Sequence, residues 1–350
     1  PMDFAKILAG ELNVPEQYVS AAIRLIDEGN TIPFIARYRK EATNAMDDQV
    51  LRQLADRLEY LRGLEKRKGE VAATIEELGA MTPELQKALD AAKTLAEVED
   101  IYRPYKPKRK TRASVAKARG LEPLAQAIFA QKPGLDVNAE AAKYINDEVP
   151  DAEAALAGAR DIIAEQVSDD AALRAQLRRF YQTFGLVKSR AAKEEDSVYA
   201  GYYDFSQAVN KIAGHRVLAL DRGEREGFLK VTVEVDAEKA VGGIRRMFVK
   251  AGGGPSAAQV SAAVEDAYTR LIHPSLEREV RSNLSEEAAE GAIQVFGENL
   301  RQLLLQPPIK GKVALGMDPG YRMGCKLAVV DETGKVLDTA VVYPVPEFKK

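Results

Sequence analysis

The sequence predicts a mainly α-helical, multi-domain scaffold that carries a small β-hairpin insertion and ends in the opening strands of an α/β module. Three observations predict it. Apolar residues recur at three-, four- and seven-residue spacing between helix-capping residues from the start to Gly185. β-type runs are confined to Val217–Val235 and to the stretch beyond Ile309. A chain of 350 residues is too long for one ordinary core. The expected divisions are a helical domain over 2–205 with a helix-turn-helix-like start, a central helical region with the hairpin over 206–308, and an incomplete α/β module over 309–350.

Each element follows from local signals. Residues 3–29 read as two short helices, with Ala9, Leu12, Val14, Val19 and Ile23 on the apolar face, Pro15 at a first helical position and Gly29 as a stop. Their spacing resembles a helix-turn-helix. The would-be reading helix shows Glu16, Asp27 and Glu28, which phosphates repel, so a plain helical hairpin is the stronger reading. Thr31–Ala42 is dense in aromatic and basic residues. A long helix runs from Asp48 through Leu51, Leu54, Leu58, Leu61, Leu64, Val71, Ile75 and Leu78 to Gly79. Thr82 caps the next, with Pro83 at its first position. Further amphipathic helices fit Leu121–Gln131, Ala139–Ile145, Asp151–Val167 and a last one from Ser168 to Gly185.

At His215 the period changes. Val217–Asp221 and Phe228–Val235 read as strands joined into a hairpin by Arg222–Glu226. Gly252, Gly253, Gly254 and Pro255 form a break, after which Ser256 is expected to cap a helix through Leu271. These glycines lack the Gly-Lys-Ser/Thr ending of a phosphate-binding loop. Leu284–Leu305 gives another helix, and Pro307 and Pro308 mark a boundary. Val313–Met317, Lys326–Val330 and Val336–Tyr343 then read as three strands, with Asp331–Lys335 as a turn and one sheet face left bare.

Apolar residues at 46% and charged residues at 29% exclude a disordered chain or a disulfide scaffold. The lone cysteine, Cys325, has no partner in the chain, and no stretch is long and apolar enough to span a bilayer. A cytoplasmic protein away from membranes is the expectation. The net charge of −3 argues against general nucleic-acid binding, but the charge is unevenly distributed. Residues 102–119 hold Arg103, Lys106, Lys108, Arg109, Lys110, Arg112, Lys117 and Arg119 and no acid, leaving −11 for the remainder.

That segment is the first candidate site. Pro104 and Pro107 are expected to keep it extended, so that its cations neutralise phosphates of one long partner while Tyr102 or Tyr105 stacks on a base. The competing reading packs the tyrosines on neighbouring helices and pairs the cations with acids such as Glu97, Glu99 and Asp100. Arg37, Arg39 and Lys40 could extend the same surface, although Arg37 could instead partner a buried carboxylate. The second candidate is Asp318, which follows a strand and precedes a glycine turn. A carboxylate at a sheet rim can help to hold Mg²⁺ for phosphodiester hydrolysis. Two-metal chemistry needs several converging acids, and Asp331 is expected in a turn. Mg²⁺ is therefore expected only under a nuclease reading, and otherwise no cofactor or metal site. A phosphotransferase loop would carry small hydroxylated residues where this chain has Tyr321, Arg322 and Met323. Cys325 reads as packing, and His215 with His273 gives no supported metal pair.

The segments PFIARYRKEA (33–42), EDIYRPYKPKRKTRASVAKARGLEPL (99–124), HRVLALDRGEREGF (215–228) and GMDPGYRMGCKLAVVDETGKVLDTAVVYP (316–344) together resemble the bacterial Tex family of transcription accessory proteins. The likeness runs over essentially the whole chain and implies that the last segment opens a YqgF, or RNase H-like, module. It implies a nucleic-acid-binding factor tied to transcription, with RNA or DNA backbone as partner and RNA polymerase or the ribosome as the machinery met. The family continues into a helix-hairpin-helix region and an OB-fold that is the expected principal RNA binder. Asp318 matches the first acid of nuclease relatives of YqgF, but such proteins are not generally credited with hydrolysis, so an active enzyme is not expected. A nuclease, or a purely protein-binding scaffold, remains the alternative.

Overall fold

The computed structural model describes residues 2–307, 309–320 and 322–344; the boundary residue Pro308 and Tyr321 of the glycine turn lie outside them. In chain order the elements are α1 (Phe4–Leu12), α2 (Glu16–Asp27), α3 (Ile32–Tyr38), α4 (Lys40–Thr43), α5 (Asp48–Glu77), α6 (Pro83–Ala91), α7 (Leu95–Tyr102), α8 (Arg112–Ala118), α9 (Glu122–Ala130), α10 (Val137–Ala142), α11 (Ala152–Ser168) and α12 (Ala171–Phe184). They continue as β1 (Leu186–Ala191), β2 (Asp204–Ala208), α13 (Gly214–Arg225), β3 (Leu229–Glu234), α14 (Ala237–Phe248), α15 (Gly254–Asp266), a π-helical stretch (Ala267–Ile272) and α16 (His273–Leu304). The chain then forms β4 (Ala314–Asp318), β5 (Cys325–Val330) and β6 (Val336–Val342). It is mainly α with two small antiparallel sheets. Two compact units result, one of residues 1–212 with 227–282, the other of 213–226 with 283–350. Among the described residues no helix is long and apolar enough to cross a membrane.

In the larger unit α5 is the spine, and its expected stripe is the one that is buried. Leu51, Leu54, Leu58 and Leu61 face a core shared with Leu8, Val19, Leu25 and Ile35. Leu64, Val71 and Ile75 face a second core with Leu89, Ala92 and Val98. Lys68 lies on that stripe with its stem buried, and its ammonium donates to the Asp90 carbonyl at 2.9 Å. Further along, α11 buries Ala155, Leu156, Ala159, Ile162, Ile163 and Val167 and is packed by α8, α9, α10 and α15.

The expected hairpin is not where the periodicity placed it. Val217–Asp221 is helical, and Val217, Leu220 and Gly223 are its buried positions, a three-residue spacing that a strand cannot give. Arg222–Glu226 is the end of that helix, stopped at Gly227, whose φ of +79° suits glycine. The strand Leu229–Glu234 pairs instead with β1, which also pairs with β2, in the order β2-β1-β3. The outer edge of β3 is covered by α16: the Val233 amide donates to Glu277 at 2.9 Å, and Arg281 donates to the Val231 carbonyl at 3.0 Å.

Other boundaries shift for local reasons. Asp136 caps a helix beginning at Val137 rather than Ala139. Gly253, not Ser256, is the cap of α15, and the Ser256 hydroxyl is buried without a hydrogen-bond partner. Helix α16 begins at His273, well before Leu284, because the π-helical stretch runs straight into it. In the smaller unit β4, β5 and β6 fall where the sequence places them. Ala314 pairs with Val330 and Asp318 with Lys326, and β6 is exposed along its whole length.

Gly185, between α12 and β1, has no room for a side chain: a Cβ there would lie 2.3 Å from the Tyr181 carbonyl oxygen. Gly201 has open space around it. Gly185→Ala is therefore expected to lower unfolding stability by about 1–3 kcal/mol in urea melts, with Gly201→Ala within about 0.5 kcal/mol of wild type.

Candidate nucleic-acid interface

The basic segment is mostly helical rather than extended. Thr94 forms a capping box with Glu97 and starts α7, a single 3₁₀ turn follows at Arg103–Tyr105, and Thr111 with Ser114 starts α8. Pro104 sits near the start of the 3₁₀ turn, where its missing N–H costs nothing. Residues 106–111 and Arg119, the cap of α8, lack helical structure. Tyr102 and Tyr105 both pack against the second apolar core, and the Arg67 guanidinium lies 5.4 Å from the Tyr102 ring centroid. The structure thus uses both tyrosines in packing rather than as stacking platforms.

The cations fall into two groups. Lys108 turns onto α11, where it bonds to Asp169 and lies 3.4 Å from Glu165. Glu165 also accepts from the Thr111 hydroxyl at 2.9 Å. Burial pushes the Asp169 carboxyl above its ordinary range, against the opposing pull of Lys108. Arg103 lies 4.0 Å from Asp100, and its buried Nε has no partner. Lys117 is 3.9 Å from Glu122. By contrast Lys106, Arg109, Lys110, Arg112 and Arg119 are exposed, with no carboxylate at ion-pair distance among the described residues. A strip of free cations therefore remains, pinned by a paired set.

Beneath it lies a buried ionic knot that sequence reasoning missed. Asp100, 3% exposed, accepts two hydrogen bonds from Arg178 at 2.9 and 3.1 Å. Arg178 also bonds Glu279 on α16. Burial works against the Arg178 charge, but the bonds to Glu279 and Asp100 outweigh it and hold the guanidinium above its ordinary range. One turn earlier Arg174, 1% exposed, donates to the Ser168 carbonyl, the Ser168 hydroxyl and the Ser275 hydroxyl at 2.7–2.9 Å. Burial, with Arg103 nearby, pulls it down to about 10. The available signal was an arginine pair at i and i+4 beside the apolar stripe Leu173, Leu177 and Tyr181.

Arg37, Arg39 and Lys40 are exposed on α3 and α4, which pack on α2 and α5 rather than on the helices that carry the strip. Arg37 meets no carboxylate among the described residues, and Arg39 lies 5.1 Å over the Phe34 ring and donates to the Tyr38 carbonyl at 3.0 Å. In the smaller unit Asp318 ends β4 and is exposed, opposite Lys326 on β5. Among the described residues no three metal-ligating side chains cluster. Asp331 is taken up by its turn, accepting from the Thr333 hydroxyl and amide and the Lys335 amide at 2.7–2.9 Å, which holds its carboxyl below the ordinary range. His273 Nδ1 is 2.5 Å from the buried Tyr181 hydroxyl, a packing role.

Three family profiles cover most of this sequence: Tex-like protein N-terminal domain over residues 2–76, Tex central region-like over 132–296, and Tex protein YqgF-like domain over 312–350. The chain belongs to the Tex family. Among its relatives are the Bacillus subtilis protein named "Uncharacterized protein YdcI", 45% identical over 96% of this chain and 48% of its own length, and the Neisseria gonorrhoeae "Transcriptional accessory protein Tex", 42% identical over 98% and 46%. The human "S1 RNA-binding domain-containing protein 1" is 32% identical over 97% of this chain and 36% of its own length. The Tex chain described here thus spans a little under half the length of its bacterial relatives. The central profile contains α11, α12 and the first part of α16, so Glu165, Asp169, Arg174, Arg178 and Glu279 lie in Tex-matched sequence, whereas Asp100 and the strip itself lie between the N-terminal and central profiles.

Removing one side of the knot exposes the other to desolvation without compensation. Arg178→Met is expected to lower unfolding stability by about 3–5 kcal/mol in denaturant titrations. Asp100→Asn with Arg178→Met together is expected to cost less than the sum of the two single changes.

Proposed function

We propose that this chain acts as a nucleic-acid-contacting part of a transcription accessory factor, meeting the phosphate backbone without base readout through Lys106, Arg109, Lys110 and Arg112, with Arg119 at the far end of α8. The observation that carries this reading is the exposure of these five cations on a segment without acids, while Arg103, Lys108 and Lys117 are taken up by neighbouring carboxylates. Long, flexible cationic side chains suit phosphates, whose contacts fix position and carry no sequence information. Arg37, Arg39 and Lys40 are a second, smaller patch of the same chemistry. The helical pair α1 and α2 is not assigned a reading role, because Glu16, Asp27 and Glu28 are exposed on α2. Either RNA or DNA satisfies this chemistry; the name "Transcriptional accessory protein Tex" of the gonococcal relative supports a transcription setting, and RNA polymerase or the ribosome as the machinery met, in the cytoplasm, belongs to the proposal.

Counterion release gives the test. If four or five cations each meet a phosphate, log affinity for duplex DNA falls with log salt at a slope of about −3.5 to −4.5. Lys106→Glu, Arg109→Glu, Lys110→Glu and Arg112→Glu together are expected to flatten that slope and leave the thermal melt in place. A salt-independent affinity in the unaltered protein would overturn the reading and favour a protein-binding scaffold. Lys108→Glu is a different probe, since it sets a carboxylate against Asp169 and is expected to lower stability.

A further inference from the structure

Helices α12 and α14 part to leave an open groove of about 1020 Å³, wholly within the larger unit. Its floor is small: Ala175 on one side, Ala240 and Gly243 on the other. At the α12 end stands Phe184, 63% exposed, with its ring tilted against that of Phe180 at 5.3 Å. It is the only exposed phenylalanine among the described residues of that unit. Exposing so large an apolar ring forgoes the stabilisation that its burial would give, and nothing in the local packing requires it.

The charges along the groove are unequal once internal pairs are removed. Asp236 caps α14 by accepting from the Lys239 amide at 3.1 Å, and its carboxylate lies 3.4 Å from the Lys239 ammonium. Glu234 pairs with Lys188 at 2.6 Å. Among the described residues Arg179 on α12 and Arg246 on α14 are left exposed with no carboxylate at ion-pair distance, against one free carboxylate in the groove lining, that of Glu238. Both walls are helices whose backbone groups are satisfied internally, so the groove offers no main-chain ladder to an extended peptide. It offers guanidinium groups from two walls and one exposed aromatic face. Phosphates spaced along a strand suit the first, and the flat face of an unpaired base suits the second. A duplex satisfies only the first, because its bases are already stacked.

We propose that the α12–α14 groove binds single-stranded nucleic acid, with a base stacked on Phe184 and backbone phosphates held by Arg179 and Arg246. This surface is separate from the cationic strip and carries a preference that the strip does not. The chain contains no tryptophan, so Phe184→Trp places one reporter at the proposed stacking position. Titrating that variant with an oligothymidylate of about twelve nucleotides is expected to quench its fluorescence saturably, because a base stacked on the indole occupies its exposed face. Phe184→Ala is expected to weaken oligothymidylate binding by about 5- to 150-fold while leaving duplex affinity unchanged, the range given by one lost base–aromatic stack. Arg179→Gln with Arg246→Gln is expected to reduce the single-strand salt slope by about 1.4. Thermal melts of the three variants verify that each is folded. An unquenched tryptophan together with unchanged single-strand affinity of Phe184→Ala overturns the proposal, and the groove would then be free for a protein partner. The charge-reversed strip keeps the two readings apart. Loss of duplex affinity there with quenching retained supports both, whereas intact duplex affinity there with quenching retained sinks only the strip.

Discussion

The pairing of Asp100 with Arg178 is the constraint on which the cationic surface depends. A carboxylate so deeply buried survives only when its oxygens are answered, and Arg178 answers both with its planar fork. The same guanidinium reaches Glu279, so three helices, α7, α12 and α16, are tied at one point. Replacing this knot with apolar side chains could serve stability as well. What an apolar core would not supply is direction: a bidentate pair fixes the azimuth of α7, and α7 leads into the basic segment two residues past Asp100. The orientation of the strip is thereby set from below.

Arg174 and Arg178 put two positive charges one turn apart in the interior of α12. The knot tolerates this because the two are answered differently. Arg178 has carboxylates, whereas Arg174 has only hydroxyl and carbonyl oxygens, and its lowered affinity for its proton records that difference. Arg103 and Lys108 then approach the same region from the strip and draw on Asp100, Asp169 and Glu165. Cations that point inward are neutralised by these acids, and those that point outward are left for a polyanion. The paired members are not wasted charge, since without them a run of like charges would splay away from α11 instead of lying along it.

What was legible in the sequence is what is local. The stripe of α5, the cap Thr82 with Pro83 behind it, and the strands β4 to β6 are each written within a few residues, and each formed as read. Val217–Asp221 was misread because four contiguous apolar residues fit either period, and only burial at Val217, Leu220 and Gly223 decides between them. β1 escaped notice because Leu186–Ala191 carries Lys188 and Arg190, and its strand character comes from two partners distant in sequence. At the candidate site the surplus of cations was plain from composition. Which of them were free was not, because Lys108 is answered by Asp169, 61 residues away, and Tyr102 and Tyr105 by a core assembled from α5, α6 and α7.

Helix α12 joins the two surfaces through simple geometry. Successive residues on an α-helix point about 100° apart, so Arg179 need not follow its neighbour Arg178 into the interior. Arg178 turns inward with Leu177 and Tyr181, whereas Arg179 turns out with Phe180 and Phe184. The buried face fixes the rotation of the helix about its own axis, and that rotation decides where the exposed aromatic ring and the free guanidinium stand. A change that loosens the knot would therefore reach the groove as well as the strip, without touching either surface directly. Substitutions at Phe184 have no such reach, since that side chain lies mostly in solvent at the end of the helix.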